Sequence, residues 1–262
     1  MEKILIAQFM AHLFADFYMQ SENLCKGKQR SLFKSRHIYL HALIVFITSI
    51  GLTFTNGFIL YAAGIAVLHF GIDAAKSLVE RYLIKTHNLP EEGYYTRPLL
   101  FFTDQVLHLL VIYLATFFYW KHHPYVPAYI NIFTINQLLI VAGFILCLKP
   151  TNVIIRICLS SLNLYPQKDA TTENEDLQKA GRWIGSIERI LAFVLVILGE
   201  YTAIGFIIAA KSVLRYGDNK TNKTEYVLIG TLLSFGIAIL AGIGIQSGIV
   251  ESFIGFISTI CK

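Results

Sequence analysis

The fold is decided by apolar stretches such as residues 99–120, which read LLFFTDQVLHLLVIYLATFFYW. An α-helix rises about 1.5 Å per residue, so this stretch can cross the roughly 30 Å hydrocarbon core of a bilayer. The chain contains seven further apolar stretches. The candidate spans are residues 3–20, 37–55, 57–76, 99–120, 134–158, 183–199, 201–215 and 226–250. The sequence therefore predicts an all-α, polytopic helical membrane protein with about eight transmembrane helices, or seven because the sixth and seventh stretches are short.

The composition excludes an ordinary soluble protein. Of the 262 residues, 55% are hydrophobic and only 15% are charged, and the mean hydropathy is +0.57. Soluble domains have about a quarter of their residues charged, so this chain has too little charge to cover a water-facing surface. The four cysteines are scattered and lack the close spacing of a disulfide framework or a zinc ribbon.

The distribution of Lys and Arg predicts the orientation of the spans. Basic residues concentrate in the stretches 21–36, 76–98, 168–182 and 211–223, whereas the opposite side offers only Lys3, Lys121 and Lys262. Because basic loops stay in the cytoplasm, both termini are expected outside. We expect a multi-pass protein of the cell inner membrane, surrounded by membrane lipids. The net charge of +5 is then a topology signal, and direct nucleic-acid binding is not expected.

The first four spans each carry two potential metal ligands four residues apart. The pairs are His12/Asp16, His37/His41, His69/Asp73 and Asp104/His108. Residues i and i+4 share one helix face, so each pair can project into a common cavity, and all four pairs fall in the cytoplasmic half. These residue types suit one or two divalent ions, Zn, Mn or Fe, with the Asp residues as ligands or as partners of the His rings. A proton or ion pathway and a structural polar network are the alternatives.

Six more polar side chains near the same face are predicted to bind substrate. They are Gln20, Gln105, Glu188, Arg189, Lys211 and Arg215. Lys211 and Arg215, one turn apart, form a basic pair suited to a phosphate, although such residues also anchor the ends of spans. The chain is accordingly divided into a four-helix unit with the His/Asp pairs, residues 1–120, and C-terminal helices with basic motifs, residues 121–262.

The combined pattern resembles the bacterial membrane family filed as domain of unknown function 3307. The motifs are His12-x3-Asp16-x3-Gln20, His37-x3-His41, His69-x3-Asp73, Asp104-Gln105-x2-His108, Ile184-x3-Glu188-Arg189, Lys211-x3-Arg215 and Glu225-x4-Gly230-Thr231-x2-Ser234. The resemblance covers nearly the whole chain and implies an integral membrane protein, but the family name supplies no reaction. In its ligand types the pattern is also similar in kind to a family of membrane-bound metal-dependent hydrolases.

The leading functional hypothesis is a membrane-embedded metallohydrolase with a cytoplasm-facing site. A metal-activated water would be the nucleophile, Asp16 or Asp104 the general base, and the basic side chains of the second half a clamp for a lipid or nucleotide-like phosphate. Three alternatives stay open: a di-iron oxygenase acting on lipid tails, a metal or proton transporter, and a membrane sensor or effector with a structural metal site. The oligomeric state is not predicted.

Overall fold

The computed structural model describes residues 1–20, 36–87, 98–162, 173–213 and 221–260, and all regular structure in these ranges is helical. The helices are α1 (Glu2–Leu13), α2 (Arg36–Thr53), α3 (Ile59–His87), α4 (Pro98–His122), α5 (Ala128–Asn131), α6 (Ile135–Cys147), α7 (Lys149–Ser161), α8 (Glu173–Ile197), α9 (Tyr201–Val213), α10 (Thr221–Gln246) and α11 (Ile249–Ile260). A π-helical turn, Phe14–Tyr18, extends α1, and a 3₁₀ turn, Asn56–Phe58, precedes α3. The predicted all-α fold class is confirmed.

Several helices are compatible with membrane spans. Within the described ranges, four segments are long and apolar enough to cross a membrane: Arg36–Thr53, Ile59–Thr86, Pro98–His122 and Leu228–Gln246. Helices α6 and α7 form a bent pair that adds a fifth if it is one span, and α9 is apolar but shorter. The count of about eight spans and the placement of the termini stay predictions.

The helices separate into two compact units, Met1–Ala142 with Phe253–Lys262, and Gly143–Ser252. In the first unit α1 packs against α2 and α4, and α3 packs against the same two helices, so the four helices close around a common interior. The boundary at residue 120, drawn from the sequence by function, stays a prediction.

The first unit buries a set of polar side chains and exposes many large apolar ones. Leu60 is 80% exposed and Val106 is 64% exposed, whereas His41 and His108 are 1% exposed. A water-soluble bundle has the opposite distribution, because it buries its large aliphatic side chains. A cluster of buried apolar side chains, Ile65 among them, packs in the same interior. The four helices therefore present their polar side chains to one another.

The second unit is built around α8, which packs against α7, α9 and α10. Its core contains Ala192, Phe193 and Val196 of α8 together with Phe235 of α10. A Cβ atom added at Gly242 would lie 2.7 Å from Val196 Cγ1, closer than carbon atoms pack. Glycine at this position therefore allows α8 and α10 to approach closely.

Candidate metal centre

Seven of the eight side chains predicted to ligate metal lie together inside the first unit. They are His12, Asp16, His41, His69, Asp73, Asp104 and His108. The four histidines and Asp104 are at most 4% exposed, Asp73 is 9% exposed, and the Asp16 side chain is 8% exposed. Each of the four packed helices contributes at least one of these groups, so the cluster depends on the closure of the whole unit.

The eighth predicted ligand, His37, is placed differently. It lies in the first turn of α2 and is exposed, and no group of potential ligand atoms in the described ranges includes it. The helix rises about 6 Å between His37 and His41. His41 therefore reaches the interior of the bundle, while His37 lies at its end.

Three ligand atoms form a compact triangle. Asp16 Oδ1 lies 3.4 Å from His41 Nε2 and 3.3 Å from His69 Nε2, and the two histidine nitrogens are 3.0 Å apart. Ligands on a tetrahedral ion with bonds of about 2.0 to 2.1 Å are separated by about 3.3 Å. Asp73 Oδ2 lies 3.6 Å from His41 Nε2 and 3.9 Å from His69 Nε2, in the position of a fourth ligand. The triangle has the dimensions of a site for one ion.

Two further groups of ligand atoms adjoin this triangle. One contains His12, His69 and His108, and the other contains Asp73, Asp104 and His108, with the ligand atoms of each group within 4.8 Å of one another. Asp16 connects the groups, because its Oδ1 is one corner of the triangle while its Oδ2 lies 3.8 Å from His108 Nδ1. The seven side chains are thus one cluster rather than separate pairs.

Several histidine nitrogens of the cluster lack a hydrogen-bond partner among the described residues. In the described ranges, neither nitrogen of His108 has a hydrogen-bond partner, although the ring is buried. The amide of Gln105 donates to Asp16 Oδ2 and Asp104 Oδ2, so its Oε1 accepts from His12 Nε2. In the neutral ring His12 Nδ1 then carries a lone pair, 3.6 Å from Asp16 Oδ1. The lone pairs of His12 Nδ1 and Asp16 Oδ1 repel each other unless a cation lies between them. These side chains therefore fit the ligand set of a metal ion.

A change of helix type positions Asp16. The α-helix gives way to a π-helical turn at Phe14, and Met19 N donates to Phe14 O at 3.0 Å. The wider turn rotates Asp16 relative to His12, compared with a regular α-helix. Single π turns inside α-helices are frequent at functional sites. Here the turn lets one carboxylate face His41 and His69 as well as His108.

Lys76 is a member of this cluster that the sequence analysis assigned only to a basic stretch. Its ammonium donates to Asp104 Oδ2 at 3.0 Å and lies 5.6 Å from the centre of the Phe101 ring. The side chain is 13% exposed. Its position three residues after Asp73, inside a long apolar helix, is the sequence signal for an inward-facing charge.

The predicted substrate-binding side chains divide between the two units. Gln105 contacts the cluster, and Gln20 lies two residues after the π-helical turn that carries Asp16. In the second unit Arg189 is 2% exposed and Lys211 pairs with Glu188. Arg215 lies outside the described residues.

Arg189 is held by neutral oxygens of the protein. Its Nε donates to Cys147 O at 2.7 Å, and its terminal nitrogens donate to Ser234 Oγ, Ser186 Oγ and Asn152 Oδ1. Cys147 is the last residue of α6, and the last carbonyls of a helix need partners from outside it. Arg189 therefore joins four parts of the second unit, and this arrangement occupies the guanidinium that the sequence analysis proposed as a phosphate ligand.

Comparison with known proteins identifies the first unit. The family model described as "Protein of unknown function (DUF3307)" matches residues 4–140. This range contains all seven clustered ligands, Lys76 and Gln105. No curated protein and no solved structure gives a significant match. The match covers more than half of the sequence, and the chain belongs to this family of proteins of unknown function.

Proposed function

We propose that this protein is a membrane-embedded metal-dependent hydrolase whose site faces the cytoplasm and acts on a phosphate-containing substrate, a lipid or a nucleotide-like molecule. The observation that carries the proposal is the triangle formed by Asp16 Oδ1, His41 Nε2 and His69 Nε2, with separations of 3.0 to 3.4 Å. Two imidazoles and a carboxylate at this spacing suit Zn, Mn or Fe.

Asp104 is the best candidate for the general base. Lys76 and Gln105 both donate to its Oδ2, which fixes the carboxylate, while its buried Oδ1 has no hydrogen-bond partner in the part of the chain that the structure describes. A base held at one oxygen can accept a proton at the other. Asp16, by contrast, lies among the histidines and serves as a ligand in this proposal.

The proposed topology has about eight spans, both termini outside, in the inner membrane. Helix α1 with its π-helical turn forms one span of residues 2–18, which the change of helix type divides into two short elements. Helix α8 carries Glu188 and Arg189, but the protein pairs both inside the second unit, so they need not face lipid. Membrane lipids would then surround the exposed aliphatic side chains.

A hydrogen-bonded network supports an enzyme over a transporter. Gln8 Nε2 donates to Ser49 O and Thr53 Oγ1, and Ser49 Oγ donates to Gln8 Oε1. These groups satisfy one another and join α1 to α2 on the side of the cluster away from Asp73. A cavity of about 10 Å³, the size of one water molecule, lies between this network and the rings of His12 and His69. A transport pathway would need the closed network to open.

The proposal is tested by metal analysis of the purified, detergent-solubilised protein. We expect stoichiometric Zn, Mn or Fe in the wild type and its loss in His41→Ala and His69→Ala. His123→Ala is the matched control, because His123 is exposed and lies outside every ligand group of the described ranges. A metal-free wild type would contradict the proposal. Iron with oxygen-dependent turnover would instead favour the oxygenase, and ion flux in reconstituted vesicles would favour the transporter.

A further inference from the structure

The positive charge of Lys76 lies beside the group of ligand atoms from Asp73, Asp104 and His108. Lys76 Nζ is 3.0 Å from Asp104 Oδ2, and Asp104 Oδ2 is 3.9 Å from His108 Nδ1. Asp73 lies three residues before Lys76 on the same helix and belongs to the same ligand group as Asp104 and His108. The ammonium is therefore bound where a second metal ion would share these carboxylates.

His108 supplies independent support for a cation position at this point. Its ring is 1% exposed and stacks on His69 with a centroid separation of 3.7 Å. Its Nδ1 points between Asp16 Oδ2 and Asp104 Oδ2, at 3.8 and 3.9 Å, and lacks a hydrogen-bond partner among the described residues. A buried imidazole nitrogen between two carboxylate oxygens is suited to a cation, and Lys76 already brings one to Asp104.

Lys76 compensates carboxylates on both sides of its position. Asp73 and Asp104 belong to the ligand group beside it, and the buried Glu80 lies one turn further along the same helix. A divalent ion bound to Asp73 and Asp104 would lie next to the ammonium, and two positive charges at short range repel each other. Buried charges are tolerated when they are compensated.

We propose that the centre, if it binds metal as proposed above, holds a single divalent ion in the triangle of Asp16, His41 and His69. The ammonium of Lys76 occupies the second cation position and excludes a second ion. The pair of charges, one metal and one ammonium, then faces the substrate side by side. Both can stabilise the negative charge that develops on a phosphoryl group. Lys76 is then the cation of the first unit that binds an anionic substrate.

The test is the number of metal ions bound per chain after the metal-free protein is loaded with Zn²⁺ or Mn²⁺ and excess ion is removed. We expect one ion in the wild type and two in Lys76→Met and Lys76→Ala, which free Asp73, Asp104 and His108 for a second ion. Lys76→Arg keeps the charge and should bind one ion. Lys85→Met is the matched control, because Lys85 is exposed on the same helix, and it should also bind one ion.

The outcomes separate this inference from the proposed function. A wild type that binds no ion defeats the metal centre itself. A wild type that binds two ions, or Lys76→Met and Lys76→Ala proteins that still bind one, overturns the role of Lys76 and leaves the metal centre intact. The double variant Lys76→Met/Asp104→Asn should return to one ion, because the second site requires the Asp104 carboxylate.

Discussion

The two units of this protein bury polar groups in opposite ways. In the second unit Arg189 brings one positive charge inside, and four neutral oxygens accept its hydrogen bonds. In the first unit three aspartates and four histidines share an interior with one lysine, and several of their nitrogens have no donor or acceptor of suitable geometry in the described ranges. One cluster is complete with protein atoms alone, and the other has the composition of a ligand shell.

This difference distinguishes a buried polar cluster that stabilises the fold from one that is suited to bind a cation. A buried group costs free energy unless its hydrogen bonds are made, so a satisfied cluster contributes to stability and its loss destabilises the fold. A cluster of like-charged ligands destabilises the fold by itself and becomes favourable only with its cation. Substitutions in the two units should therefore change stability with opposite dependence on metal.

The largest effect is expected for Arg189→Met. The substitution leaves the oxygens of Cys147, Asn152 and Ser234 without their donor, and we expect a loss of about 3 to 5 kcal/mol in stability, whether or not metal is present. Thermal unfolding in detergent measures it. Arg182→Met is the matched control, because Arg182 is exposed on the same helix. Wild-type stability in Arg189→Met would show that the guanidinium is not a structural centre.

Asp16→Asn should have the opposite signature. Asn keeps the size of the side chain but removes the charge and one acceptor oxygen, so metal affinity should fall on the order of 100-fold. At a free metal concentration 100 times its dissociation constant, the wild type gains about 2.7 kcal/mol in stability from bound metal. The variant should lose most of this gain. The metal-free variant should be at least as stable as the metal-free wild type, because one buried carboxylate is neutralised.

The measurement is thermal unfolding of both proteins with and without Zn²⁺ or Mn²⁺. Glu200→Gln, an exposed carboxylate in the second unit, serves as the control and should retain the full metal-dependent shift. An Asp16→Asn protein that is destabilised equally with and without metal would mean that the first cluster is structural, as the second one is.

The sequence was sufficient to predict the helical class and the convergence of seven of the eight candidate side chains. The spacing of four residues fixes two side chains on one face of a helix, and the cost of charge in an apolar span directs that face inward. The spacing does not show how far along the bundle the packed interior extends. His37 shares its predicted face with His41 but lies at the end of α2, where the side chain is exposed.

Two features of the site depend on contacts that one helix cannot reveal. The π-helical turn at Phe14–Tyr18 changes the direction of Asp16, and a spacing argument that assumes a regular α-helix does not predict such a turn. The sequence places Lys76 in a basic stretch at a cytoplasmic end, because it does not show that Asp104 of the next helix lies 3.0 Å away. It predicts a substrate-binding role for Arg189, because it does not show the protein oxygens that accept from the guanidinium.

Gln8→Leu tests the polar network of the first unit whose hydrogen bonds are made within the protein. Gln8 is 1% exposed, and its side-chain amide is hydrogen-bonded to Ser49 and Thr53. Leucine has a similar size but leaves Ser49 O and Oγ with fewer partners, so we expect a loss of about 1 to 2 kcal/mol. Metal stoichiometry should not change. Gln246→Leu is the control for thermal unfolding, because it removes one hydrogen bond, from Tyr201 Oη, at an exposed position. Altered metal binding in Gln8→Leu would extend the site to this network.

The smallest effect is expected for the ion pair of the second unit. The side chains of Glu188 and Lys211 are 19% and 22% exposed, so solvent screens part of their attraction. A double-mutant cycle with Glu188→Gln and Lys211→Met should give a coupling of about 0.5 kcal/mol in thermal unfolding, independent of metal. Lys211 also lies 5.9 Å from the centre of the Phe235 ring, so Lys211→Met alone should retain most of the packing. A coupling above about 2 kcal/mol would mean that the pair is desolvated as fully as Arg189. The second unit would then contain a buried ion pair, as the first unit does with Lys76 and Asp104.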